Sequence, residues 1–152
     1  MCLMNFIKSG LTNFKDIDKI FLEKLIYWKF NDFFIRCQVD RIDLIENDFL
    51  RIYDYKSGTK KESSTDFYYK NQISFYVLAV SDYFNVPVEK IHSFIFYLES
   101  GEMDQIIIDD FQKENMWDTL NDAVNEVFNK NNHTIVKHAK KCAACSFSSV
   151  CR

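Results

Sequence analysis

The stretch VDRIDLIENDFLRIYDYKSG, from Val39 on, carries Asp40 at one apolar run and Asp54 and Lys56 on the next. Strands favour branched and aromatic residues over Asp and Lys, so such charges mark either a solvated edge or a site. Side chains two apart on a strand share a face, which puts Asp54 with Lys56 on one side and Tyr53 with Tyr55 on the other. A hairpin between the two runs brings Asp40 beside them. Carboxylates that close repel and raise each other's pKa unless a cation lies between them, and hard oxygen donors of this kind suit Mg²⁺ or Mn²⁺. A lysine next to such an ion can orient water or meet developing negative charge. A second group stands in KCAACSFSSVC, where Cys142, Cys145 and Cys151 have the close spacing of thiolate metal ligands. His133 and His138 precede it, and either could complete a Cys₃His zinc site.

The elements that must position these residues follow from periodicity. Residues 3–10 read as the end of a helix and a loop runs through Asp16. KIFLEKLIYWKF and FFIRCQVDRIDLI alternate well enough to be strands, and ENDFL turns the chain into LRIYDYK, giving a three-stranded meander. TKKESST is a polar loop, and DFYYKNQISFYVLAVSDYF has helical spacing until Val86-Pro87 stops it. Gln72 and Tyr76 lie one turn apart on that helix and can face the acids. KIHSFIFYLES is a further strand, turned by Ser100-Gly101 into DQIIID. DDFQKENMWDTLNDAVNEVFNK is a last helix with an apolar stripe of Phe111, Met116, Leu120, Val124 and Val127. The order β-β-β-α-β-β-α predicts an α/β fold, a mixed sheet packed by helices, with no internal repeat or domain boundary.

The composition supports that reading. A chain of 152 residues that is 47% hydrophobic and 16% aromatic has ample material for one core. Fifteen Phe and eight Tyr against three Gly and one Pro point to long regular elements and short turns. A formal net charge of −3 advertises no polyanion partner, so nucleic acid would need a local basic patch. MCLMNFIKSG is too short an apolar run to span a bilayer and lacks a secretory cleavage site, so a cytoplasmic protein is expected. In a reducing compartment its Cys are buried thiols or metal ligands, Cys37 being a packed thiol, and His92 is structural.

VDRID, YDYKSG, the Gln72/Tyr76 helix and the three terminal Cys, in that order, resemble the RecB-like branch of the PD-(D/E)xK nuclease superfamily over residues 20–152. That branch includes the nuclease domains of helicase-nuclease repair complexes and CRISPR-associated nucleases that trim DNA ends. The resemblance implies a restriction-endonuclease-like core, one nuclease domain over residues 1–152 with a metal-cluster tail at 131–152, and Mg²⁺- or Mn²⁺-dependent cleavage of DNA, probable substrates being ends or single strands. By position Asp40 and Asp54 resemble the metal-binding acids, the backbone carbonyl of Tyr55 a further ligand, and Lys56 the catalytic lysine. Gln72 and Tyr76 resemble the Gln and Tyr that orient the site and contact DNA. Cys142, Cys145 and Cys151 resemble ligands of a 4Fe-4S cluster, with zinc the alternative and Cys2 the upstream candidate for a fourth ligand. Family members usually carry an N-terminal helix whose His or Glu completes the metal site. No such His stands here, Glu23 lies on a strand, and the expectation is a chain without that helix in full. Lys60 and Lys61 flank the site and Lys137, Lys140 and Lys141 lead into the Cys group, so both clusters would line one DNA groove if the tail folds over the sheet. The expected setting is DNA repair, recombination or CRISPR-type processing beside a helicase or CRISPR-associated protein. The alternative is a catalytically inactive DNA-binding or assembly module.

Overall fold

The computed structural model describes residues 2–60, 64–128, 142, 143 and 145, and only the backbone of residues 2, 47 and 64–67. The chain divides into two compact units, Met1–Met116 and Trp117–Arg152. The first opens with α1 (Cys2–Lys8), then β1 (Ile17–Phe30), β2 (Phe33–Ile45) and β3 (Phe49–Lys56), the last two joined by a 3-10 turn at Glu46–Asp48. α2 (Ser64–Phe84) follows, then β4 (Ile91–Tyr97) and β5 (Met103–Ile106). α3 (Asp110–Phe128) begins in the first unit and carries the described helix of the second.

The five strands form one sheet in the order β1-β2-β3-β4-β5. All neighbours are antiparallel except β3 and β4, which run parallel with α2 as the crossover between them. This is the mixed α/β sheet that the sequence predicts. β3 lies at its centre and is buried on both faces, with Ile52, Tyr53 and Asp54 all 5% exposed or less. On one face α2 supplies Ile73, Val77 and Val80 against Ile26, Val39, Ile42, Ile52 and Ile95, all 1% exposed or less. Each such side chain contributes about 1.5–3 kcal/mol of burial. On the other face Phe6 of α1 meets Tyr55 and Phe96 edge-on, over a cluster of Leu11, Tyr53 and Phe96. Asn5 ties α1 to the β4–β5 turn by donating to the carbonyls of Leu98 and Glu99 at 3.2 and 2.9 Å. Gly101 in that turn has φ of +79°, and a Cβ there would sit 3.2 Å from Asn5 Cβ. Both facts call for glycine.

Several boundaries differ from the sequence reading. α2 opens at Ser64, inside the expected loop, because Ser64, Thr65 and Asp66 are residue types that favour a helix start. β5 ends at Ile106, its last ladder partner being Ser93, and Ile107 beyond it is 73% exposed. α3 starts where expected because Asp109 and Gln112 cap each other: Gln112 N–H donates to Asp109 Oδ1 at 2.8 Å and Asp109 N–H to Gln112 Oε1 at 3.0 Å. Its expected apolar stripe is mostly unburied. Met116 is buried, while Phe111 and Val127 are 75% and 62% exposed. Among the described residues no helix is long and apolar enough to cross a membrane.

Candidate active site

The site begins with an interruption in the sheet. β1 and β2 pair Leu22 with Arg41 and then Lys24 with Val39, leaving Glu23 and Asp40 between these pairs, and Glu23 has a φ of 48°. Facing alternates on either side of this point but slips by one residue across it. Phe21 packs on Phe84 of α2, and Trp28, of the opposite parity, packs on Phe75 of the same helix. On β2, Ile42 is buried and so are Cys37 and Val39. The slip is bulge-like, with an unpaired residue on each strand. The β2–β3 ladder also ends here, at Arg41 with Tyr53, so Asp40 and Asp54 face each other where the strands part. Beyond this fork β2 keeps only β1 as partner, and β3 keeps β4.

Released from the ladder, Asp40 turns its carboxylate to the backbone: Tyr55 N–H donates to Asp40 Oδ2 at 2.8 Å. Asp54 is 2% exposed, and its Oδ2 lies 2.6 Å from Lys56 Nζ. At that distance the ammonium itself meets the oxygen, as a buried ion pair. Burial raises the Asp54 pKa above its ordinary value, Lys56 pulls it back, and the charge of Asp40 adds to the rise. Lys56 Nζ donates to Gln72 Oε1 at 2.8 Å and stands 4.5 Å over the ring of Tyr69. Gln72 Nε2 in turn donates to Tyr76 Oη at 2.8 Å. Burial raises the Tyr76 pKa, the bond from Gln72 opposes it, and the charges of Asp54 and Asp40 reinforce it. Asp40, Asp54, Lys56, Gln72 and Tyr76 thus converge between the sheet and α2.

Behind β3 lies a second charged group. Arg41 binds Asp43 through two contacts, Nε to Oδ1 at 2.6 Å and Nη2 to Oδ2 at 2.7 Å, and its Nη1 donates to Leu11 O at 2.8 Å. Phe14 and Tyr53 cover the guanidinium, at 5.6 and 5.2 Å. Burial works against the Arg41 charge, and Asp43 more than restores it.

Other expected residues lie elsewhere. Lys60 Nζ is engaged by Asp104 at 2.8 Å on the surface, and Lys61 falls outside the described residues. In the second unit Cys145 N–H donates to Cys142 O at 3.2 Å. Cys151, His133, His138, Lys137, Lys140, Lys141 and the side chain of Cys2 are outside the described residues. Cys37 is a packed thiol, its pKa pushed up to about 11 by burial.

Sequence reasoning missed Tyr69, which lies three and seven residues before Gln72 and Tyr76 and so shares their helix face. It also missed the Arg41–Asp43 pair. Their spacing of two on a strand, inside the quoted VDRID, was the available signal.

Chemically, the site is a buried carboxylate paired to an ammonium that a glutamine holds, with a second carboxylate beside it. Hard oxygens so placed fit a divalent cation such as Mg²⁺ or Mn²⁺. Among the described residues no group of three His, Cys, Asp or Glu converges.

Comparison with curated proteins gives no match. Among solved structures, that of SSO0001 aligns over 97% of this chain and 65% of its own, with a TM-score of 0.52 and 15% identity. Protein VC1899 from Vibrio cholerae aligns over 83% of this chain and 31% of its own, with a TM-score of 0.40 and 11% identity. The chain therefore spans less than two thirds of either, and the first likeness supports the fold alone. The family model of the PD-(D/E)XK nuclease superfamily matches residues 9–152, the fork, the α2 face and the Cys tail included, and the chain belongs to that superfamily.

Proposed function

We propose that the protein is a metal-dependent deoxyribonuclease of the RecB-like branch, an exonuclease hydrolysing phosphodiester bonds at DNA ends or in single strands. The observation that carries this reading is Asp54, buried beside Asp40 on the central strand with its Oδ2 held 2.6 Å from the Lys56 ammonium. Asp40, Asp54 and the backbone carbonyl of Tyr55 would hold Mg²⁺ or Mn²⁺. Such an ion, when bound, supplies Lewis acidity to a phosphodiester. Lys56 brings a fixed positive charge to the point where negative charge grows. Gln72 keeps that ammonium aimed through its Oε1, Tyr69 covers it, and Tyr76 holds Gln72 and faces DNA. Lys61 would attract the phosphate backbone, and Lys60 would join it on exchanging Asp104 for a phosphate.

Cys142, Cys145 and Cys151, with Cys2 as fourth ligand, would carry a 4Fe-4S cluster that ties down the tail and contributes to folding. Zinc with His133 or His138 is the alternative. The same reading places the protein in DNA repair, recombination or CRISPR-type processing, with a helicase or CRISPR-associated partner.

The test is cleavage of labelled single-stranded DNA by the full chain with Mn²⁺, beside a metal analysis of anaerobically purified protein. Parent should cleave and Asp40→Ala should not, and brown protein containing iron would support the cluster. Equal cleavage by both would remove Asp40 from the site. A second reading, a non-cleaving DNA-binding or assembly module, is favoured by the gathering of two acids rather than three ligand side chains among the described residues. DNA binding without cleavage at saturating Mn²⁺ would establish it.

A further inference from the structure

Past the fork, residues 24–39 form a two-stranded ribbon. Its inner face is core: Ile26, Trp28, Phe30, Cys37 and Val39 are all buried. Its outer face carries two adjacent cross-strand pairs, Tyr27 with Arg36 and Lys29 with Phe34. In each an aromatic ring opposes a cation, and the two pairs are reversed, so rings and charges alternate as on a checkerboard. Steps of two residues along the strands set the pairs ~7 Å apart.

Single exposed apolar residues need no explanation. This face differs in two respects. Tyr27 and Phe34 are 60% and 71% exposed, far more than anchoring a ribbon requires. Cross-strand aromatic and cationic residues ordinarily stabilise a ribbon by stacking on each other. Here they do not: among the described residues none of the four side chains makes a hydrogen bond, ion pair or ring contact. The cations are uncommitted in a chain of net charge −3, where most other described lysines near the site are paired. Of the acids at its two ends, Glu23 at the root is bonded by Gln38 Nε2 at 2.7 Å, and Asp32 stands in the turn at the tip.

We infer that the outer face of the β1–β2 ribbon is a stacking platform for single-stranded nucleic acid, with Tyr27 and Phe34 receiving unstacked bases and Lys29 and Arg36 the phosphates between them. Exposed rings offer every base a face without sequence preference, and interleaved cations follow the backbone. The ribbon is continuous with the fork, since Gln38 and Leu25 form the next cross-strand pair before Asp40. The proposed metal site lies on the opposite, α2-covered face, so a strand held on the platform reaches it around the ribbon's β2 edge, which β3 leaves unpaired beyond the fork. The choice of DNA as ligand rests on the nuclease reading, while binding itself requires no catalysis.

The test uses full-length protein in EDTA and fluorescence anisotropy with labelled oligothymidine, its abasic counterpart of equal charge, and a duplex of the same length. Oligothymidine should bind more tightly than either. Tyr27→Ala/Phe34→Ala should weaken oligothymidine binding by on the order of tenfold per ring and abasic binding hardly at all. Lys29→Ala/Arg36→Ala should flatten the slope of log K against log salt by about 1.4 for both single strands. Tyr27→Trp should preserve binding, and Leu22→Ser, which removes another exposed apolar side chain of β1, should leave it unchanged. Melting curves of each variant would show that the fold is kept. Unchanged affinity in both double variants, or equal affinity for abasic and normal strands, overturns the platform and leaves this face to a protein partner. Failure of the parent to cleave with Mn²⁺, with these binding losses intact, overturns the nuclease reading and leaves the platform standing.

Discussion

Replacing Asp54 by Asn should make the metal-free protein more stable while removing its response to divalent ions. In the native chain the Asp54 carboxyl is buried and takes up a proton more readily than in the unfolded chain, whose ordinary value is 3.8. Between that value and the raised native one the folded state binds more protons, so stability falls as pH climbs through the window and stays reduced above it. Asn carries no charge, and its amide can donate to Asp40 instead of repelling it. Against this stands the loss of the Lys56 pair, whose side chains are 17% and 3% exposed, but burial and Asp40 together outweigh Lys56 in the net rise of the Asp54 pKa, and Gln72 still holds the ammonium. The net expectation is a gain of about 1 kcal/mol, or ~2–4 °C in Tm for a chain of this size. Thermal unfolding in EDTA from pH 4 to 8 measures it, and the parent should lose stability across the lower part of that range more steeply than Asp54→Asn. Adding Mn²⁺ to ~100 times its Kd should raise the parent by about 2.7 kcal/mol and the variant far less. A variant that melts below the parent in EDTA, or that gains equally from Mn²⁺, would show that Asp54 is neither strained nor a ligand.

Lys56→Ala should slow cleavage of single-stranded DNA on the order of 10²-fold with Mn²⁺ affinity retained, since it removes one preorganised charge; single-turnover rates beside a metal titration check this. Gln72→Leu should lower the same rate less, by freeing the ammonium it holds, and a rate equal to the parent's would detach Gln72 from the site. Cys37 should resist a thiol reagent at pH 8 in the folded protein and react at once in denaturant, because burial holds its pKa at about 11. Stability should accordingly decline as pH rises from 9 toward 11, and Cys37→Ser should lack that decline.

The strands and α2 were legible because their periodicities are long and their composition agrees with them. Asp54 and Lys56 share a face simply through their spacing of two, and Gln72 and Tyr76 share a face through their spacing of four. Lys56 reaching Gln72 joins these two local patterns, and the parallel β3–α2–β4 crossover places them together. The slip at Glu23 and Asp40 was not legible. KIFLEKLIYWKF and FFIRCQVDRIDLI read as unbroken alternations, and no Gly or Pro marks the break. Only the φ of 48° at Glu23 and the skipped pair expose it. The engagement of Lys60 was hidden for another reason. Its partner Asp104 lies 44 residues away on β5, and a pair at that separation depends on sheet order rather than on local pattern.

Several features that cost this fold stability gather at one place. A positive φ at a non-glycine residue costs of order 1–3 kcal/mol, and Glu23 has one directly across from Asp40. Two ladders lose a pair there, and the central strand buries a carboxylate. Elsewhere the irregularities stand singly, a register shift between Ile17 and Lys19 and positive φ at the turn residues Asn31, Asp48 and Asn85. The Arg41–Asp43 pair immediately behind is fully bonded, and the aromatic cluster on that face is tightly packed. Breaches of local rules gathered at one point and supported on both sides are characteristic of a functional site rather than a poorly packed region. The fork is also what makes the chemistry accessible. Had β2 and β3 stayed paired beyond Arg41 and Tyr53, a ladder carbonyl would serve the Tyr55 N–H, and Asp40 would lose the bond that now aims its carboxylate beside Asp54.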